Sequence, residues 1–369
     1  MTPAIADITP YTAPMTRIAA VHGVLPPHRY EQQEITDALA SMGMAPAGER
    51  GVLDRVSGTA GVRTRRLAMP LERYPALGGF GDANDRFIAA ALDLGEQAVR
   101  GALAEAELRP ADVDFVVSTS ITGIAAPSIE ARLAGRLGLR PDVRRVPIFG
   151  LGCVAGAAGI ARLHDYLAGR PDGVALLLSV ELCSLTMQRQ DASTANVVAG
   201  SLFGDGAAAV VAVGAGHPLA TGQGSGPHVV ATRSHLYPDT EHLLGWDIGD
   251  EGFRIVLGAE LPDLVRRRLG PEVRAFLADH ELKPQDVTTW ICHPGGPKVL
   301  DAVCDTLDLP ARALELTWRS LAEVGNLSSA SVLHILRDTL DLARPLPGST
   351  GLMLAMGPGF CTELVLLRW

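Results

Sequence analysis

Apolar residues recur at helical spacing from Asp85 to Glu105 (DRFIAAALDLGEQAVRGALAE), which predicts a long amphipathic helix. VDFVVSTS (Val113–Ser120) follows as a buried strand, then a helix over Ser128–Leu139. VRRVPIFG is a second strand, VAGAAGIARLHDYLAG a helix, and GVALLLSVEL a continuous apolar strand of the kind covered on both faces. Leu202–Gly214 (LFGDGAAAVVAVG) reads as a turn entering another strand. Upstream, residues 1–30 are rich in Pro and Thr and are expected to run over the surface before a strand near Ile18–Val21.

Gly214–Gly226 (GAGHPLATGQGSG) is the best linker, and beyond it the same grammar returns. Helices are predicted over Leu261–Leu277, Pro297–Leu307 and Ser328–Leu342, with a strand at TTWICH and two closing strands, STGLMLAM and ELVLLRW. Strands alternating with helices imply a largely parallel sheet with helices on both faces, here in duplicate. The expected halves are residues 1–214 and 227–369.

Composition narrows the function. The chain has 369 residues, 47% hydrophobic, enough for a large core. A net charge of −9 argues against nucleic acid or an anionic membrane as the main partner. No apolar run is long enough to span a membrane, and no basic stretch followed by an apolar one marks a secretory signal. Five scattered cysteines give neither a disulfide framework nor metal-ligand spacing, so a reduced, cytoplasmic protein without bound metal is expected.

Three residues carry candidate chemistry. Cys153 lies between a strand and an Ala/Gly-rich helix, where the helix N-terminus favours thiolate; alternatively it is a small core residue. Ala155, Gly156, Ala158 and Gly159 would let that helix pack deeply. His293 ends TTWICH at a Pro-Gly-Gly turn, a catalytic position or an ordinary turn histidine. Asn326, in EVGNLSSASV, is a catalytic amide or a helix cap, a task Ser328 or Ser329 could also perform. Together, a thiolate–imidazolium pair and two donors aimed at one oxygen fit thioester chemistry, including decarboxylation to a carbanion equivalent. Aspartates such as Asp205 read as turn residues.

GLGCVAGAAGIARL around Cys153, SLFGDGAAAV (201–210), CHPGGPKVLDAV (292–303), GNLSSASV (325–332) and GPGFCTE (357–363) together resemble bacterial type III polyketide synthases, relatives of chalcone and stilbene synthases. The resemblance implies a duplicated thiolase-like α/β fold in five αβαβα layers and a homodimer. It places the family's nucleophile on Cys153, its His on His293 and its Asn on Asn326. It also implies acyl-CoA and malonyl-CoA or methylmalonyl-CoA as substrates, with no further cofactor. Phe203 matches one aromatic gatekeeper, whereas Ile255 stands where plant enzymes carry the second. Trp246 falls near a small position of the plant enzymes and Ala126 near their dimer-crossing Met. Leu185 and Ile121 replace smaller or hydroxyl-bearing residues. This aliphatic lining favours a fatty acyl starter and an alkylpyrone or alkylresorcinol product. By the same resemblance Arg63, Arg65 and Arg66 match a CoA-phosphate stretch, and the turn with Gly295, Gly296 and Lys298 offers backbone to the CoA arm.

Rival readings are a ketoacyl synthase III-type enzyme performing one condensation, a papain-like thiol hydrolase, and a non-catalytic thiolase-fold scaffold. The GPGFCTE and LFGDGAAA forms lean away from the first. A hydrolase of the second kind would place its Cys in a CGSCW-like context near the mature N-terminus, which is not seen.

Overall fold

The computed structural model describes residues 15–44, 50–189, 191–221 and 226–369. Its strands are β1 (Thr16–Val24), β2 (His28–Glu31), β3 (Thr64–Leu67), β4 (Phe115–Thr119), β5 (Arg144–Ile148), β6 (Val174–Leu182), β7 (Asp205–Val213), β8 (His228–Leu236), β9 (Leu244–Gly249), β10 (Gly252–Leu257), β11 (Thr289–Cys292), β12 (Thr350–Gly357) and β13 (Cys361–Arg368). The helices are α1 (Gln32–Ser41), α2 (Arg50–Thr59), α3 (Phe80–Glu105), α4 (Ile129–Leu137), α5 (Ala155–Ala168), α6 (Thr194–Leu202), α7 (Leu261–Ala278), α8 (Pro297–Leu307), α9 (Glu315–Val324) and α10 (Ser331–Leu342).

Nine strands join in the order β11-β12-β13-β8-β1-β7-β6-β4-β5. The sheet is mixed, which corrects the largely parallel expectation. Only β11–β12, β6–β4 and β4–β5 run parallel; the other neighbours are antiparallel. Strand periodicity carries burial but not direction, and β7, antiparallel to both neighbours, is as continuously buried as β4, parallel to both of its own.

Between β1 and β8 the ladder holds two register positions, Thr16↔Val229 and Arg17↔His228, so the nine strands form two sheets meeting at a narrow seam. Alternation along the strands then separates the layers. Leu176, Leu178, Ala209 and Val211 face an outer core with Phe87, Ala91, Leu94 and Ala98 of α3. Their neighbours Ala175, Leu177, Val210 and Ala212 face a central core with α5 and α10, shared with Ile291, Met353 and Val365 of the second sheet. The other face of that sheet (Cys292, Leu352, Leu354, Leu364) packs on α7 and α8. The result is α-β-α-β-α.

Most of the expected elements are present, with ends shifted by a few residues. The helix expected from Ser328 starts at Ser331 after a 3-10 turn over Ser328–Ala330. Within the expected linker, 222–225 lie outside the described residues and Pro218–Ala220 forms another 3-10 turn. Residues 1–14 of the expected surface segment are likewise outside them. The sequence reading did not anticipate the β9–β10 hairpin, which pairs Trp246 with Ile255.

Candidate active site

Cys153 lies in a 3-10 turn (Gly152–Val154) that feeds directly into α5. Gly152 makes the turn possible: its φ is +56°, and a Cβ there would sit 2.8 Å from Pro358 Cδ. Gly156, one turn on, lets α5 rest against the backbone that follows Asn326, since a Cβ there would lie 2.3 Å from the Ser329 carbonyl oxygen. The small residues therefore bring the nucleophile candidate beside the GNLSS segment.

The Cys153 Sγ is 3.6 Å from Ser328 Oγ. Asn326 Oδ1 accepts from the Ser328 N–H at 2.8 Å, which turns its Nδ2 towards His293 Nε2, 3.4 Å away. Asn326 thus caps the local turn with one end of its amide and meets the imidazole with the other. Its backbone bridges Phe203: Asn326 N–H donates to Leu202 O and Gly204 N–H to Asn326 O, each at 2.9 Å. His293 Nδ1 is buried and has no partner.

Burial sets the electrostatics, and against expectation. It pushes the Cys153 thiol up to about 12, partly countered by Ser328, and lowers His293 to about 3. Both shifts favour the neutral forms, thiol and imidazole, over the anticipated thiolate–imidazolium pair.

Cys153 and Ser328 line a cavity of about 50 Å³ whose walls include Ile121, Phe203, Trp246 and Ile255. Trp246 Nε1 donates to the Ile121 carbonyl at 2.9 Å, tying hairpin to loop. A larger cleft, about 610 Å³, shares Thr122, Thr186 and Met187 with this cavity.

Other assignments change. Leu185 lines the outer cleft instead of the Cys153 cavity, although Cys183, Ser184 and Thr186 of the same turn do line that cavity. Ala126 is exposed on a surface loop and lines neither space. Arg65 is 2% exposed and lines the Cys153 cavity, so it does not share the outer surface with Arg63, which precedes β3. Arg63 is exposed, 3.9 Å from Glu323, and Arg66 donates to the Pro27 carbonyl at 3.1 Å. Close to Arg63, Gly61 approaches Pro297, which with the exposed Lys298 opens α8 directly after Gly295 and Gly296. Asp205 is no turn residue: it opens β7 fully buried, accepts from Ser184 and Ala68 N–H, and is raised to about 6 by burial.

Sequence reasoning passed over Ser328 as the neighbour of the thiol. It also missed Glu181, a buried carboxylate accepting from Ile121 N–H at 3.1 Å and Thr122 Oγ1 at 2.8 Å. A lone acid within the apolar run VALLLSVEL was its available signal.

Residues 12–217 match the family described as chalcone and stilbene synthases, N-terminal domain, and 228–369 its C-terminal domain. A 1,3,6,8-tetrahydroxynaphthalene synthase of Streptomyces peucetius subsp. caesius is 61% identical over 96% of this chain and 93% of its own. An alpha-pyrone synthesis polyketide synthase-like protein of Mycobacterium tuberculosis is 30% identical over 97% and 93%. The crystal structure of 1,3,6,8-tetrahydroxynaphthalene synthase from Streptomyces coelicolor, a bacterial type III polyketide synthase, superposes with a TM-score of 0.89 at 30% identity, covering 96% of this chain and 99% of that one.

Proposed function

Because this chain belongs to the chalcone and stilbene synthase family and is a type III polyketide synthase, a decarboxylating, condensing acyltransferase, we propose that it assembles 1,3,6,8-tetrahydroxynaphthalene from malonyl-CoA alone. The 61% identity to a synthase of that name over nearly the whole chain carries the reading. Product chemistry agrees with it, since the ring carbons of a naphthalene are five two-carbon units and leave no room for a longer starter. So does the cavity beside Cys153, about 50 Å³, which suits a short starter, with the adjoining cleft of about 610 Å³ giving the growing chain room.

The proposed steps use the site as built. Neutral His293 takes the Cys153 proton as sulfur attacks the thioester carbonyl; the carbon–sulfur bond to CoA breaks and the CoA sulfur leaves with a proton. Malonyl-CoA then loses carbon dioxide while Asn326 Nδ2 and a His293 N–H donate to the thioester oxygen where enolate charge develops. The enolate carbon attacks the Cys153 thioester carbonyl, the carbon–sulfur bond to Cys153 breaks and frees the thiol, and the lengthened chain, now on CoA, returns to that thiol with release of CoA for another round. The half up to residue 214 supplies Cys153, and the half from 227 supplies His293 and Asn326. CoA thioesters are substrates; no separate cofactor enters this scheme.

A second reading keeps a fatty acyl-CoA starter, malonyl- or methylmalonyl-CoA extension and an alkylpyrone or alkylresorcinol product. The observation favouring it is the aliphatic wall of Ile121 and Ile255 together with the large adjoining cleft. Incubation with malonyl-CoA alone, and with acyl-CoAs added, followed by mass analysis of the products, decides between them. Tetrahydroxynaphthalene from malonyl-CoA alone supports the first reading; products formed only when a fatty acyl-CoA is present overturn it.

The proposed enzyme is a cytoplasmic homodimer. Among the described residues no helix is long and apolar enough to cross a membrane. The terminal strand β5 leaves one edge unpaired, with Val146 and Phe149 exposed and Ile124 beside Ala126 also exposed. Sedimentation of the wild type against Val146→Lys tests whether that edge pairs with a second copy.

A further inference from the structure

We propose that Arg65 is a substrate-binding residue for the multi-step reaction, its guanidinium receiving an anionic oxygen of the acyl chain held in the Cys153 cavity. The inference rests on the polyketide-extension reading above and adds a recognition element to it.

Arg65 is almost wholly buried, yet it lines the same cavity as Cys153 and Phe203. Two of its nitrogens are committed: Nε donates to Gln32 Oε1 at 3.0 Å and Nη1 to the Phe203 carbonyl at 2.7 Å. Those bonds fix the plane of the group and leave Nη2, which has no partner. Asp205 exerts the largest attraction on Arg65, but its carboxylate is already engaged by Ser184 and Ala68. Both partners that Arg65 does have are neutral acceptors.

A buried guanidinium without a bonded counter-ion is unfavourable unless something completes it, and buried donors are nearly always satisfied. A fork held by two bonds with one donor free is suited to an oxygen anion. The reaction supplies such oxygens in two ways. A malonyl group loaded as starter carries a free carboxylate, and an extended poly-β-keto chain carries acidic β-dicarbonyl units whose enolate oxygens are anionic. Holding either at Arg65 would restrain the reactive chain while extension continues.

The test uses the full-length wild type, Arg65→Met and Arg65→Lys, each checked by gel filtration and thermal melting. The reactions contain malonyl-CoA alone, or malonyl-CoA with acetyl-CoA as competing starter. Acetyl-CoA released from malonyl-CoA reports decarboxylation, and mass analysis reports chain length. Arg65→Met should decarboxylate within about threefold of wild type while its fully extended product falls tenfold or more relative to shorter products, the loss expected for a charge-assisted hydrogen bond. Arg65→Lys should recover part of that product. Loss confined to malonyl-primed chains identifies the starter carboxylate as the ligand, and truncation under both primings identifies the enolate oxygens. Unchanged product proportions, or an equal decline in decarboxylation and extension, overturn the assignment. Wild type that makes no multiply extended product defeats the functional reading instead.

Should neither variant fold, calorimetric titration of the wild type with acetonedicarboxylate and with acetylacetone substitutes for them. At least tenfold tighter binding of the dianion supports the proposal, and equal or absent binding overturns it.

Discussion

Replacing Asn326 by alanine separates the two ends of one amide. The Nδ2 end, 3.4 Å from His293 Nε2, is the donor proposed for the enolate oxygen. Losing one such donor typically costs 10²–10³ in rate, or about 2.7–4 kcal/mol at the transition state. The Oδ1 end accepts from the Ser328 N–H at 2.8 Å, and removing it leaves a buried donor unsatisfied, a stability cost of about 1–3 kcal/mol. The backbone bridge to Phe203 needs no side chain and survives. Asn326→Asp distinguishes the two effects, because it keeps an acceptor for Ser328 while placing carboxylate oxygen where charge develops. Asn326→Ala should therefore melt earlier than wild type and decarboxylate malonyl-CoA 10²–10³-fold more slowly. Asn326→Asp should be at least as slow while recovering part of the stability. Cys153→Ala loses only the 3.6 Å contact with Ser328 and should still release acetyl-CoA while forming no polyketide. Chromatography of acetyl-CoA from folded, purified variants measures all three. Wild-type decarboxylation in Asn326→Ala beside none in Cys153→Ala would refute the assigned roles.

Other outcomes follow from the same geometry. Trp246→Gly opens the cavity and frees the Ile121 carbonyl, so kcat/KM for longer acyl-CoA starters should rise, by about fourfold per additional methylene buried at ~0.8 kcal/mol each; a folded variant with an unchanged starter profile places Trp246 outside the path of the chain. Alkylation of Cys153 by iodoacetamide should quicken about tenfold per pH unit between pH 7 and 10, because the thiol is raised to about 12; a flat profile across neutral pH would reveal a preformed ion pair. His293, lowered to about 3, binds a proton in the unfolded chain below pH 6.5 but not when folded, so its contribution to stability falls as pH falls through that window. Between pH 7 and pH 5 it accounts for ~2 kcal/mol, and the loss of thermal stability on acidification should be smaller in His293→Gln; an identical loss would place its folded pKa near the unfolded one.

How far the sequence disclosed this molecule depended on which physical signal each part leaves. The long helix α3 and the strands β6 and β12 announce themselves through helical spacing or an unbroken apolar run. Strand direction leaves no such trace, because a residue covered on both faces looks alike in either ladder, and the mixed sheet was misread for that reason. Cys153, His293 and Asn326 were legible as residue types beside turns, yet their arrangement depends on Ser328, whose hydroxyl looks like any capping serine in one dimension. Arg65 shows the complementary failure. Three arginines within four positions look like one basic surface, but the middle one lies in the core beside buried Thr64 and Leu67, where its charge has a different meaning.

The site is also inseparable from the junction of the two halves. Phe203 ends α6 in the first half, and its backbone is bridged to Asn326 in the second. Arg65 donates to the Phe203 carbonyl, so a cavity wall, the proposed enolate donor and the proposed anion receptor hang from one short stretch of paired backbone. Cys153 is tied to the same region, because Gly156 sets α5 against the Ser329 carbonyl and the thiol lies 3.6 Å from Ser328 Oγ. In the proposed reaction such an arrangement keeps thiol, amide and guanidinium in register through repeated condensations, where an angstrom of independent drift in one of them would sacrifice much of the advantage of proximity. The glycines at 152 and 156 are what allow Cys153 to approach the backbone after Asn326 that closely, so the proposed chemistry and the packing both call for small residues around it.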